Sequence, residues 1–194
     1  MKEPILYRIL RPIINILIKI IFRPKYIGLE NIPKKEKVVL AGNHTNNLDC
    51  LLLISSTKRT IHFLAKDELT KGLKKILFNN MGIIPVNRKI HDKNALSKAI
   101  ETLENGKVIG IFPEGTINKT KDIIMPFKIG TVKMATDTNS LIVPFIITGK
   151  YKIFNNNLKV EFLKPIEFPK AKDLTTYNEK LMNIIRKKLE KEKK

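Results

Sequence analysis

His44 and Asp49 stand five residues apart in the stretch VVLAGNHTNNLDC, directly after an apolar run. Imidazole is the side chain suited to take up a proton near neutral pH. A carboxylate within reach fixes the ring's tautomer and stabilises the imidazolium as it forms. Together they would equip a general base. The same spacing also suits a helix start, with Asp49 in the first turn for dipole reasons, so the pair alone leaves both readings open. Of the other two histidines, His62 alternates within a strand-like run and His91 opens a helical one, and both read as structural.

Hydrophobic periodicity predicts the elements that must position these groups. Strands are expected over 37–41, 60–66, 82–86, 107–112 and 140–148, and helices over 48–57, 67–80, 92–104, 129–138 and 174–190. The stretch YKIFNNNLKVEFLKPI reads as a hairpin around NNN. Strands alternating with helices imply an α/β fold with a single mixed, largely parallel sheet flanked by helices. In open sheets of this kind ligands bind beyond the carboxyl ends of the strands. His44 and Asp49, Lys66, Arg88 and the PEGT segment at 113–116 all follow predicted strands. Arg88 in such a cleft suits a phosphate through paired donors, and Lys66, Lys119, Lys121 and Lys128 would add charge. There is no P-loop, dinucleotide fingerprint or G-x-S-x-G elbow.

The 194 residues carry 37 Lys and Arg against 18 Asp and Glu, a formal net charge of +19. That field favours polyanions: nucleic acid, anionic lipid or phosphorylated substrates. Nucleic acid is not expected, because aromatics make up only 7%, tryptophan is absent and no recognition signature appears. A single cysteine, Cys50, excludes an intramolecular disulfide, and without His/Cys clusters no metal site is expected.

Residues 1–24 are expected to form an amphipathic membrane-association segment ahead of a domain spanning 25–194. Arg8, Arg11, Asn15 and Lys19 fall within roughly 80° on a helical wheel. Opposite them lie Ile5, Leu6, Ile9, Leu10, Ile13, Leu17, Ile20 and Ile21. Charges interrupt the run too often for a span, and a signal peptide is disfavoured. A basic stripe facing a broad apolar face fits a helix in the membrane interface; the alternative is a helix packed on its own domain. Pro12 is expected to kink this segment or start a second helix.

Taken in order, NHTNNLD, GIIPVNR, FPEGT and IVPFII resemble the four motifs of the 1-acyl-sn-glycerol-3-phosphate acyltransferase (PlsC-like) family, over roughly residues 25–150. FLAKDEL and PFKIG are similar to family segments as well. The resemblance implies a glycerol-3-phosphate acyltransferase-like fold. It also implies acyl transfer from acyl-CoA or acyl-carrier protein to the sn-2 hydroxyl of 1-acylglycerol-3-phosphate, at the cytoplasmic face of the cell membrane and without a cofactor. His44 and Asp49 would be catalytic. Arg88, Glu114, Gly115, Thr116, Lys66, Lys121, Lys128 and Pro144 would bind substrate, with backbone N–H groups near Gly115 meeting the oxyanion. Two departures stand out: Ile117 and Asn118 occupy places usually held by Arg and Ser, and Asn87 one often held by an acid. They leave open another lysolipid acceptor. A hydrolase using His44 to activate water, or a basic nucleic-acid-binding module, are the rival classes.

Overall fold

Val38–Gly42 (β2) is buried at every position, as a strand covered on both faces must be. Its neighbours are Val108–Ile111 (β5) and Leu141–Thr148 (β6), both parallel to it. Val38 faces Val108 on one side and Leu141 on the other, and Ala41 faces Ile111 and Pro144. Ile61–Lys66 (β3) and Ile84–Val86 (β4) extend the parallel sheet beyond β5. At the other edge Lys159–Phe162 (β7) runs antiparallel to β6, and Lys25–Ile27 (β1) pairs parallel to β7. The resulting order is β1-β7-β6-β2-β5-β3-β4. The structure, a computed structural model, describes residues 4–70, 78, 80–87, 90, 92–170 and 173–193. Arg88 and His91 lie outside the described residues, as does most of the second half of the helix expected over 67–80; the first part is a short 3₁₀ turn, Asp67–Thr70.

Each face of the sheet carries its own helices. Lys93–Glu104 (α3), Gly130–Asp137 (α4) and Leu174–Glu192 (α5) cover one, burying Ala99, Leu103, Met134, Leu181 and Ile185 against Val39, Ile109 and Ile142. Asp92 caps α3 by accepting from the Ala95 N–H at 3.0 Å. Ile5–Phe22 (α1) and Asp49–Ile54 (α2) cover the other face, where Tyr7, Ile18, Leu52 and Leu53 join Leu40, Val143 and Phe145.

The helix α1 is therefore greasy on two sides. Tyr7, Ile14 and Ile18 dock on the domain, and the Arg11 guanidinium donates to the Lys58 carbonyl at 2.6 Å. Ile5, Ile9, Ile13, Ile16, Leu17 and Ile20 point away, each 50–72% exposed. Among the described residues no helix is long and apolar enough to cross a membrane. Pro12 does not start a second helix, because Ile5–Phe22 runs through it unbroken. It sits on the exposed side, where the carbonyl left without its N–H partner can face solvent.

The expected hairpin is also corrected. The partner of β7 is β6, with Phe145 facing Phe162 and Thr148 facing Lys159. Residues 151–154 form no strand.

Candidate active site

The strand β2 ends at Gly42, and Asn43 takes over its pairing with a side chain. Its amide donates to the Ile147 carbonyl at 2.9 Å and accepts from the Ile147 N–H at 2.8 Å. This buried clamp fixes where the chain leaves the sheet, and His44 follows directly. The His44 Nδ1 lies 2.8 Å from Asp49 Oδ2. A carboxylate only accepts, so Nδ1 donates to it, and in the neutral ring Nε2 then holds the lone pair. Phe112 stacks under the imidazole, centroids 4.0 Å apart and planes within 11°. Phe112 is itself braced by Phe63 and Phe145.

Asp49 is fully buried. A buried carboxylate stays ionised only when its oxygens are well partnered, and these are. Oδ2 also accepts from the Thr45 and Asn46 N–H groups at 2.6 and 2.9 Å. Oδ1 accepts from the Thr45 hydroxyl at 3.1 Å and the Tyr151 hydroxyl at 2.6 Å. Leu48, not a side-chain cap, precedes α2; Asn46 instead accepts the Leu48 N–H.

His44 opens onto a cleft of about 1130 Å³ at the carboxyl ends of β2, β3, β4 and β5. That is just above the ~300–1,000 Å³ range of small-molecule sites. Its lining combines the apolar Leu64, Val86, Leu96, Ile111 and Met134 with the polar Lys66, Thr116 and Lys128. Lys66 pairs with Glu68. Gly115 has φ +74°, and a Cβ there would come within 2.8 Å of Lys128 Cε. Glycine thus permits both the left-handed turn and the lysine's passage over it. Among the described residues there is no cluster of potential metal ligands.

Several expected site residues are placed elsewhere. Glu114 does not line the cleft. One carboxylate oxygen accepts the His44 N–H at 2.8 Å and the other the Met125 N–H at 2.9 Å, so it ties two loops together. Burial pushes its carboxyl above the usual range, against the pull of those two amides. Pro144 sits inside β6 opposite Ala41, and Lys121 is exposed and does not line the cleft. The Gly115 N–H donates to the Phe112 carbonyl at 2.9 Å and so is spent on the turn. Cys50 lines the cleft, but burial and the adjacent Asp49 charge push its thiol up to about 12. It stays protonated and is a poor nucleophile.

The acyltransferase family model matches residues 23–148, which hold all of this geometry except the Tyr151 contact. The chain belongs to the acyltransferase family. It is 38% identical over 134 residues to the 1-acyl-sn-glycerol-3-phosphate acyltransferase of Borreliella burgdorferi, covering 68% of this chain and 53% of the relative. The enzyme of the same name from Bacillus subtilis is 30% identical over 132 residues, 64% of this chain and 62% of that one. The chain thus spans about half to three fifths of the length of these curated relatives. The fold is shared with the crystal structure of the 1-acyl-sn-glycerophosphate acyltransferase PlsC from Thermotoga maritima. There the TM-score is 0.76 at 22% identity, covering 96% of this chain and 81% of the other.

Sequence reasoning missed Asn43 and Tyr151. Asn43 is a buried amide beside the catalytic candidate, and that adjacency was the available signal. Tyr151 lies 102 residues from the carboxylate it touches, and no local pattern announces it.

Proposed function

We propose that this acyltransferase moves a fatty acyl chain from a CoA or carrier-protein thioester to the sn-2 hydroxyl of 1-acylglycerol-3-phosphate, forming phosphatidic acid. The observation that carries the reading is the His44–Asp49 pair, with Nδ1 held by the carboxylate on a residue that lines a cleft containing both apolar side chains and lysines. His44 takes the proton of the acceptor hydroxyl as its oxygen attacks the thioester carbonyl, and Asp49 stabilises the imidazolium that results. The tetrahedral intermediate then expels the thiolate, which takes the proton from His44. The acceptor is the nucleophile, so no covalent acyl-enzyme is required.

The oxyanion needs N–H donors not already spent. The Thr116 and Ile117 amides meet no acceptor among the described residues, and they replace Gly115 in this role. Lys128 and Lys66, which both line the cleft, meet the acceptor's phosphate, and the apolar lining receives the acyl chain. The outward isoleucines of α1 rest in the lipid surface that holds the lysolipid and its product, at the cytoplasmic face. The names of the relatives above support the same acceptor.

Thiol release from palmitoyl-CoA and from palmitoyl-carrier protein, with and without lysophosphatidate in vesicles, tests the reading. Release that requires the acceptor and yields phosphatidate is expected. Release at full rate without acceptor would make the protein a thioester hydrolase instead.

A further inference from the structure

Among the described residues, every donor to the Asp49 carboxylate except one comes from its own loop. His44, Thr45 and Asn46 precede it by three to five residues. The exception is the Tyr151 hydroxyl, 2.6 Å from Oδ1 and supplied by the segment between β6 and β7. That segment is fastened to the end of α1. The Tyr151 ring meets Phe22 edge to face, centroids 5.4 Å apart at 84°. The Phe154 N–H donates to the Ile21 carbonyl at 2.6 Å, and Arg23 lies over the Phe154 ring. Burial, reinforced by the Asp49 charge, drives the Tyr151 hydroxyl far above its ordinary range, so it remains a donor.

We propose that Tyr151 is a positioning residue for Asp49, and that α1 takes part in setting the geometry of the His44–Asp49 pair by holding Tyr151 through Phe22. This rests on the reading of His44 as the base. Among the described residues Oδ1 has one other donor, the Thr45 hydroxyl at 3.1 Å. The Tyr151 hydrogen bond both fixes the plane of the carboxylate and draws charge from it. Without that bond, more charge remains to stabilise the imidazolium, and the base loses activity at a higher pH. The N-terminal helix is then coupled to the chemistry and is more than a tether.

The test is Tyr151→Phe, which keeps the ring and its Phe22 contact and removes only the oxygen. Expected are a fall in kcat of about five- to twentyfold, KM values within about twofold of wild type, and an acid limb of the kcat–pH profile displaced upward by about half a unit. Phe22→Ala is expected to move the limb the same way by less, and to add nothing further in the Tyr151→Phe background. A wild-type kcat and limb in Tyr151→Phe would overturn the proposal. So would a lower kcat with an unmoved limb and a lower melting temperature, the mark of a purely structural contact. Full additivity of Phe22→Ala with Tyr151→Phe would overturn the part given to α1. Failure of the underlying reading shows separately, as an active His44→Ala.

Discussion

Asn43 pairs with Ile147 as though its side chain were another peptide of the sheet, donating to the carbonyl and accepting from the N–H at 2.9 and 2.8 Å. The ladder between β2 and β6 thus continues past the Gly42–Phe145 pair. Meanwhile the backbone is free to turn and present His44. Asn43→Ala leaves both Ile147 groups buried and unpaired, a loss of about 2–4 kcal/mol. For a chain of this size the melting temperature should drop by about 5–12 °C, measurable by thermal denaturation. A change within about 2 °C would mean that water or a neighbour satisfies Ile147.

Glu114 gives a prediction with a definite sign. Its carboxyl is raised in the folded protein because burial disfavours the charged form. The folded state therefore holds the proton more tightly than the unfolded chain. Stability from this group is full below its ordinary value of 4.5 and is lost as pH rises through the raised folded value. Glu114→Gln cannot titrate, and it turns an amide N–H toward either the His44 or the Met125 N–H. The variant should be about 1–3 kcal/mol less stable at low pH, with a gap that narrows as pH climbs above 4.5. Urea unfolding from pH 4 to 7 measures this; a gap that widens would reverse the assignment.

The outward face of α1 separates folding from lipid binding. Ile9, Ile13 and Ile16 are half or more exposed, so serine at all three should leave the melting temperature unchanged within about 2 °C. Each isoleucine would bury its remaining exposed surface in lipid for about 1 kcal/mol. The triple variant should therefore bind anionic vesicles about 100-fold more weakly. Sedimentation with vesicles gives the partition. Equal binding would place the lipid contact elsewhere on the surface.

The parts of the fold that were legible in the sequence are those whose pattern survives burial. Leu141–Thr148 is a continuous apolar run that only a strand covered on both faces explains, and Lys93–Glu104 keeps a clean helical period. The YKIF segment misled because its alternation resembles a strand. In fact Tyr151 turns inward to a carboxylate while Ile153 and Phe154 stand 68% and 63% exposed. Lys25–Ile27 is three residues long, too short for a period to register. For α1 the wheel found the apolar face but passed over Tyr7, Ile14 and Ile18, because an apolar side facing protein and one facing outward look alike in sequence. At the site, His44 and Asp49 were legible because their contact is local. Glu114, expected among the substrate-binding residues, receives backbone amides from two loops, which no local pattern announces.

The most direct measurement is the rate of acceptor-dependent phosphatidate formation by His44→Ala, on protein whose melting temperature and palmitoyl-CoA binding match wild type. If His44 is the base, kcat should fall by about 10²–10⁴-fold while donor affinity is retained. A variant within tenfold of wild type would contradict the assignment and require another group in the cleft to take the proton.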